Sequence, residues 1–178
     1  MHEKRAGKTV LFCFGLLLLL GIDQFTKYLV TVYLKDTSGI ALIPDVFELQ
    51  YLENKGAAFG ILQKQRLFLL LLSVLILLII FFFYSRIPAE RRFLPLRIVA
   101  VILVSGASGN MIDRILNGYV IDFLYFKLIH FPIFNVADCY VVISVIIAFF
   151  LVCFYYKEDD FTFFKKENSD EDGMEDSE

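Results

Sequence analysis

Four long apolar stretches, residues 10–34, 67–84, 98–112 and 139–156, alternate along the chain with polar or strand-patterned segments. A helix needs about 20 apolar residues to cross about 30 Å of hydrocarbon. The pattern therefore predicts an all-α integral membrane protein with four transmembrane helices. The second and fourth stretches carry no charge, whereas the first contains Asp23 and Lys27 and the third, the shortest, runs into Asp113 and Arg114. A charged side chain deep in a span costs about 2.5–3.5 kcal/mol on insertion scales, so charges there concentrate where function or a charged partner holds them.

Between the spans the period changes. Phe47-Glu48-Leu49-Gln50-Tyr51 alternates apolar and polar residues, as a half-buried strand does. It leads into Asn54-Lys55-Gly56-Ala57-Ala58-Phe59-Gly60, whose glycines suit a turn. Residues 119–126 read either as a strand or as a segment lying along the bilayer interface. A small extracytoplasmic β-sheet is therefore expected beside the four helices. With no internal repeat, residues 1–156 form a single membrane domain. Residues 157–178, with ten acidic and three basic side chains, form an acidic tail expected to be solvated and disordered.

Charge gives the expected orientation. Lys4, Arg5 and Lys8 precede the first span, and Arg86, Arg91, Arg92 and Arg97 crowd the connection between the second and third. Basic residues near span ends favour the cytoplasm, so both termini are expected inside and residues 31–66 and 114–138 outside. The first span is read as a retained anchor, since no small-residue cleavage site follows Leu20 and Asp23 comes too soon for a secretory signal. Three cysteines, Cys13, Cys139 and Cys153, make no paired framework and no Cys-x-x-Cys motif, which disfavours a disulfide-exchange enzyme. Only His2 and His130 are present, too few for a histidine-rich metal site. His130 is read as an interfacial side chain, and no metal or cofactor is expected.

Three polar groupings remain. Asp23 and Lys27 are four apart and share a helix face; the pair serves either as a polar clasp between helices or as a substrate contact. Gly106, Gly109, Asn110, Asp113 and Arg114 recur at three- and four-residue spacing, a small-and-polar stripe that lets helices approach and hydrogen-bond. Asp122 and Asp138 flank one short loop, in Val120-Ile121-Asp122-Phe123 and Phe134-Asn135-Val136-Ala137-Asp138. Alone, Asp138 would read as the N-cap of the fourth helix. Two carboxylates about 4 Å apart at an effective dielectric near 20 repel by about 4 kcal/mol, roughly three pK units. Such a pair shares one proton near neutral pH. Its charged member can deprotonate water while the other donates to a carbonyl oxygen, as in aspartic proteases.

Five segments in order, Asp23-Gln24-Phe25-Thr26-Lys27, Asn54-Lys55-Gly56-Ala57-Ala58-Phe59, Gly109-Asn110-Met111-Ile112-Asp113-Arg114, and the two aspartate-containing boxes, resemble the lipoprotein signal peptidase family, the type II signal peptidases that process prolipoproteins. The resemblance implies an aspartic endopeptidase of the bacterial cytoplasmic membrane that cuts just before a diacylglyceryl-modified cysteine, with its site at the outer face. By position Asp122 and Asp138 match the family's catalytic pair. Asp23, Lys27, Asn54, Gly56, Asn110, Arg114, Asn135 and Ala137 match positions that shape the site or bind substrate. The expected partners are lipid-modified prolipoproteins and membrane lipid, with no nucleic acid, and the chain is expected to act as a monomer. After Asp138 the family commonly has a serine, and six positions on often a glycine; here they are Cys139 and Ser144. A transporter or channel would also use intramembrane charges, but would not need two carboxylates poised together outside. A non-enzymatic assembly factor would bind precursor without shortening it.

Overall fold

A computed structural model describes residues 2–56, 62 and 65–164. In chain order the elements are α1 (His2–Leu34), β1 (Ile40–Ile43), β2 (Phe47–Asn54), α2 (Arg66–Arg86), α3 (Leu94–Leu116), β3 (Val120–Phe126) and α4 (Val136–Phe150). Helical segments Thr9–Leu34, Arg66–Arg86, Arg91–Leu116 and Val136–Tyr155 are each long and apolar enough to cross a membrane. Half of the third is buried, against 6–11% of the others, so α3 is the centre of the bundle and the rest wrap it.

Two helices differ from their expected limits. α3 begins at Leu94 with a proline in its first turn, where the missing N–H would have no helical partner anyway, and it continues through Asp113 and Arg114. Charged residues stay inside this helix because other elements supply their partners. α4 starts at Val136, and its N-cap is Asn135 rather than Asp138. The Asn135 side chain accepts from the Asp138 backbone N–H at 3.0 Å, and the Asp138 carboxylate accepts from the Asn135 N–H at 3.1 Å. This reciprocal capping box places Asp138 one turn into the helix.

The three strands form one antiparallel sheet in the order β1-β2-β3. Residues 120–126 are a strand, which resolves the alternative left open by their pattern. β1 was not expected, since its four consecutive exposed residues show no alternation. The sheet packs on the end of α1, where Val30 and Leu34 meet Ile121 and Phe123. At the opposite end of the bundle, Tyr84, Ile87, Phe93, Val101 and Tyr156 form a second core, with Phe93 and Tyr156 stacked at 5.7 Å. The expected disordered tail begins with a 3-10 helix, Glu158–Phe164, that Asp160 ties to Arg92 through a 2.6 Å bond from Nε. Residues 165–178 of that tail, and Ala57, Ala58, Phe59 and Gly60 of the expected turn, lie outside the described residues.

Close approach of α3 to α4 depends on Gly106. A Cβ there would sit 2.5 Å from the Ala137 carbonyl oxygen and 2.9 Å from Val141 Cγ2. Backbone cannot yield as a flexible side chain does. We expect Gly106→Ala to cost about 1–3 kcal/mol, the usual range for overpacking, read as a lower midpoint of thermal unfolding in detergent.

Candidate active site

The side chains of the site converge from five elements. Asp122 enters from β3, opposite Leu52 of β2, and is only 2% exposed. Asn54, two residues further along β2, donates from Nδ2 to Asp122 Oδ2 at 2.8 Å. Its own Oδ1 accepts from the Gly56 N–H at 2.9 Å, an Asx-type turn that fixes which way the amide points. Asn135 Nδ2 donates to the other oxygen, Asp122 Oδ1, at 2.6 Å. The residue that caps α4 therefore also holds Asp122.

Asp138 takes its remaining bond from α3, where Asn110 Nδ2 donates to Oδ1 at 2.8 Å. Asn110 Oδ1 in turn accepts from Asn135 Nδ2 at 3.0 Å and from Lys27 Nζ at 3.1 Å. Three asparagine amides thus connect the two carboxylates without adding charge. Each amide has its oxygen occupied by an N–H, so each has one satisfied orientation.

Below this layer lies a buried ion cluster. Lys27 Nζ is 2.9 Å from Asp23 Oδ2 and 2.9 Å from Asp113 Oδ2, which with Asn110 uses all three of its N–H donors. An ammonium and two carboxylates removed from water require this degree of satisfaction. Asp23 Oδ1 accepts from the Ala137 N–H at 2.9 Å, tying α1 to the first turn of α4. Ala137 is fully buried, and its Cβ is among the nearest atoms a side chain at Gly109 would meet. A larger residue at 137 has no room. Of the two readings left open for Asp23 and Lys27, the geometry fits the clasp: both are at most 1% exposed, and neither lines the cleft above.

That cleft has a volume of about 1160 Å³ and an uneven lining. Asn54, Asn110, Arg114, Asp122 and Asp138 form a polar side, and Phe131, Ile133, Val142 and Ile143 an apolar one. Arg114 bonds the carbonyls of Gly56 at 3.1 Å and Asn110 at 3.3 Å, which fastens the end of β2 to α3. His130 lies on the rim, exposed, with its ring nitrogen 3.4 Å from the Tyr125 hydroxyl. Burial, reinforced by the neighbouring Asp138 carboxylate, pushes Asp122 up to about 7 even though the Asn54 and Asn135 amides favour its anion.

All ten residues assigned to the site from the sequence meet in this one region. Two contributors were not among them. Gln24 donates to Asp23 at 3.1 Å and to Asp113 at 3.0 Å, and Asp113, noted only as part of the polar stripe of α3, completes the shell of Lys27. Their signal was present, since both lie inside the quoted motifs, but helical spacing does not show which partner a polar residue meets on another helix.

Residues 15–154 match the family described as Signal peptidase (SPase) II. A lipoprotein signal peptidase from Brevibacillus brevis is 44% identical over 127 residues, 71% of this chain and 84% of that protein. One from Clostridioides difficile is 35% identical over 147 residues, 82% of this chain and 97% of that protein. Among solved structures, one of a bacterial membrane enzyme superposes with a TM-score of 0.70 at 30% identity, covering 83% of this chain and 92% of the other. Identity at this level over most of the chain, on a shared four-helix and sheet architecture, makes this protein a member of the signal peptidase II family, the membrane proteases that remove signal peptides from prolipoproteins.

Proposed function

We propose that the chain is an aspartic endopeptidase in which Asp122 and Asp138 share one proton and activate water. The observation that carries this reading is their joint suspension at the cleft by Asn54, Asn110 and Asn135. Neutral amides hold the carboxylates in place without supplying a counter-charge, so their mutual repulsion remains available to retain a proton. The charged member takes a proton from water as its oxygen attacks the scissile carbonyl carbon. The protonated member donates to the carbonyl oxygen. Collapse of the tetrahedral gem-diol then breaks the C–N bond: the now-protonated carboxyl gives its proton to the leaving nitrogen while the other carboxylate takes one from a hydroxyl of the intermediate, so the pair again holds one proton. The pair titrates as a unit, so neither carboxylate is given a fixed role.

The two-sided cleft supports the substrate class. A polar floor suits peptide, and the apolar flank of Val142 and Ile143 continues along α4, where acyl chains could remain in the bilayer while the peptide bond reaches the carboxylates. With the basic α2–α3 connection inside, the sheet and the cleft face outward, both termini lie in the cytoplasm, and the chain acts alone on lipid-modified prolipoproteins. The ten residues named above build this site: two catalytic and eight that shape it or meet substrate.

The test is cleavage of a synthetic diacylglyceryl precursor by the purified full-length protein, with the unlipidated peptide alongside. A product beginning at the modified cysteine, formed from the lipidated peptide alone, supports the proposal; binding without a shortened product favours an assembly factor. The same assay reads the pH dependence. As Asp122 gives up its proton near pH 7, the shared proton is lost and kcat/KM falls toward higher pH. Stability shifts in the same direction: an aspartate raised from 3.8 to about 7 in the folded chain binds more protons than when unfolded, so its contribution declines as pH rises across that window.

A further inference from the structure

Asp113 lies outside the cleft and is only 1% exposed, yet it receives three hydrogen bonds from two other elements, α1 and β3. Lys27 Nζ approaches Oδ2 from α1 at 2.9 Å. Gln24 Nε2, also on α1, donates to Oδ1 at 3.0 Å. The backbone N–H of Ile121 donates to Oδ2 at 3.2 Å. The last contact falls on the residue immediately before Asp122. It is a side-chain bond to a strand amide and not part of the β2–β3 ladder.

These contacts lead to the two cleft carboxylates by separate routes. Through the Ile121 amide, Asp113 sets where β3 starts, and with it the position of Asp122 along the strand. Through Lys27, it sets the ammonium that occupies Asn110 Oδ1, which leaves Asn110 Nδ2 aimed at Asp138 Oδ1. We infer that Asp113 is a positioning residue that fixes the spacing of Asp122 and Asp138 by holding the strand that carries one and the lysine that orients the partner of the other. This rests on the reading of those two aspartates as the catalytic pair.

The charge balance gives Asp113 a second signature. The charged groups packed around it and around the pair are Asp23 and Lys27 from α1, Arg114 from α3, Asp122 from β3 and Asp138 from α4. Asp23, Lys27 and Asp113 together carry one net negative charge. Replacing Asp113 with asparagine makes that cluster neutral, so a proton on the nearby pair is held less tightly and the active window moves to lower pH. A residue that only supported folding would lower the rate without moving the window.

The experiment is steady-state cleavage of the lipidated precursor by full-length Asp113→Asn across the pH range, with Asp122→Asn and Asp138→Asn in the same series. The expected result is a kcat lower by about 100-fold, the cost of misplacing reacting groups by about 1 Å, with KM within about threefold of the parent and the pH optimum displaced downward. Asp113→Glu, which keeps the charge but moves it by one methylene, should lower kcat while leaving the optimum in place; it also provides the test if Asp113→Asn does not reach the membrane. An unchanged kcat in either variant, a change in KM alone, or a lower rate with an unmoved optimum in Asp113→Asn overturns the inference. If Asp122→Asn or Asp138→Asn cleaves at the parent rate, the catalytic pair itself is wrong. If both are inactive and Asp113→Asn is unaffected, only the positioning role fails.

Discussion

Asp122→Asn is expected to leave the protein in the membrane and to lower cleavage of a lipidated precursor by at least about 10³-fold, toward the upper end of what a positioned acid or base contributes. The substitution is close to isosteric, so the reason is chemical. Asp122 accepts from Asn54 on one oxygen and from Asn135 on the other. An asparagine offers one accepting oxygen and turns an NH₂ toward the second donor. Neither neighbour can flip to accommodate it without loss, because Asn54 Oδ1 already holds the Gly56 N–H and Asn135 Oδ1 the Asp138 N–H. A donor facing a donor in a buried site costs about 1–3 kcal/mol, so the variant should be somewhat less stable as well as inactive. Quantifying product by mass spectrometry and unfolding by thermal scan separates the two effects. Cleavage at the parent rate would remove Asp122 from the chemistry.

The largest effect on stability is expected from Lys27→Met. Methionine fills much of the same volume, but it leaves Asp23 and Asp113 facing each other without a cation, each at most 1% exposed. Breaking a buried ion pair by removing one partner costs about 3–5 kcal/mol. The unfolding midpoint in detergent should therefore fall much further than for Gly106→Ala, and a second change, Asp23→Asn, should recover part of the loss by removing one of the stranded charges. A midpoint within a degree or two of the parent would show that the cluster carries far less energy than its burial implies.

Much of this arrangement could be read from residue order. The four apolar blocks, the alternating residues of β2 and the inward stripe of α3 follow from helix and strand periods alone, and each appears where its period put it. Boundaries were harder wherever a polar residue had a partner elsewhere. Asp113 and Arg114 looked like the end of a span because a lone charge does not belong in one, yet the helix runs through Leu116, with Lys27 and the Gly56 carbonyl as partners. The cap of α4 was displaced from Asp138 to Asn135 for a similar reason, since either side chain can cap and only the three-dimensional partner of each decides. β1 was missed because its apolar run is explained by exposure at the sheet edge rather than by a buried face. Motif order collected the residues of the site, but the wiring among Asn54, Asn110 and Asn135 depends on contacts between residues up to 68 positions apart.

Asn135 starts α4 and also grips Asp122. Warming that frays only the first turn of this helix would release the strand aspartate in the same movement, so on the catalytic reading hydrolysis should fade reversibly before the bundle comes apart. Helix initiation and enzyme competence cannot be inherited separately here, because one amide serves both.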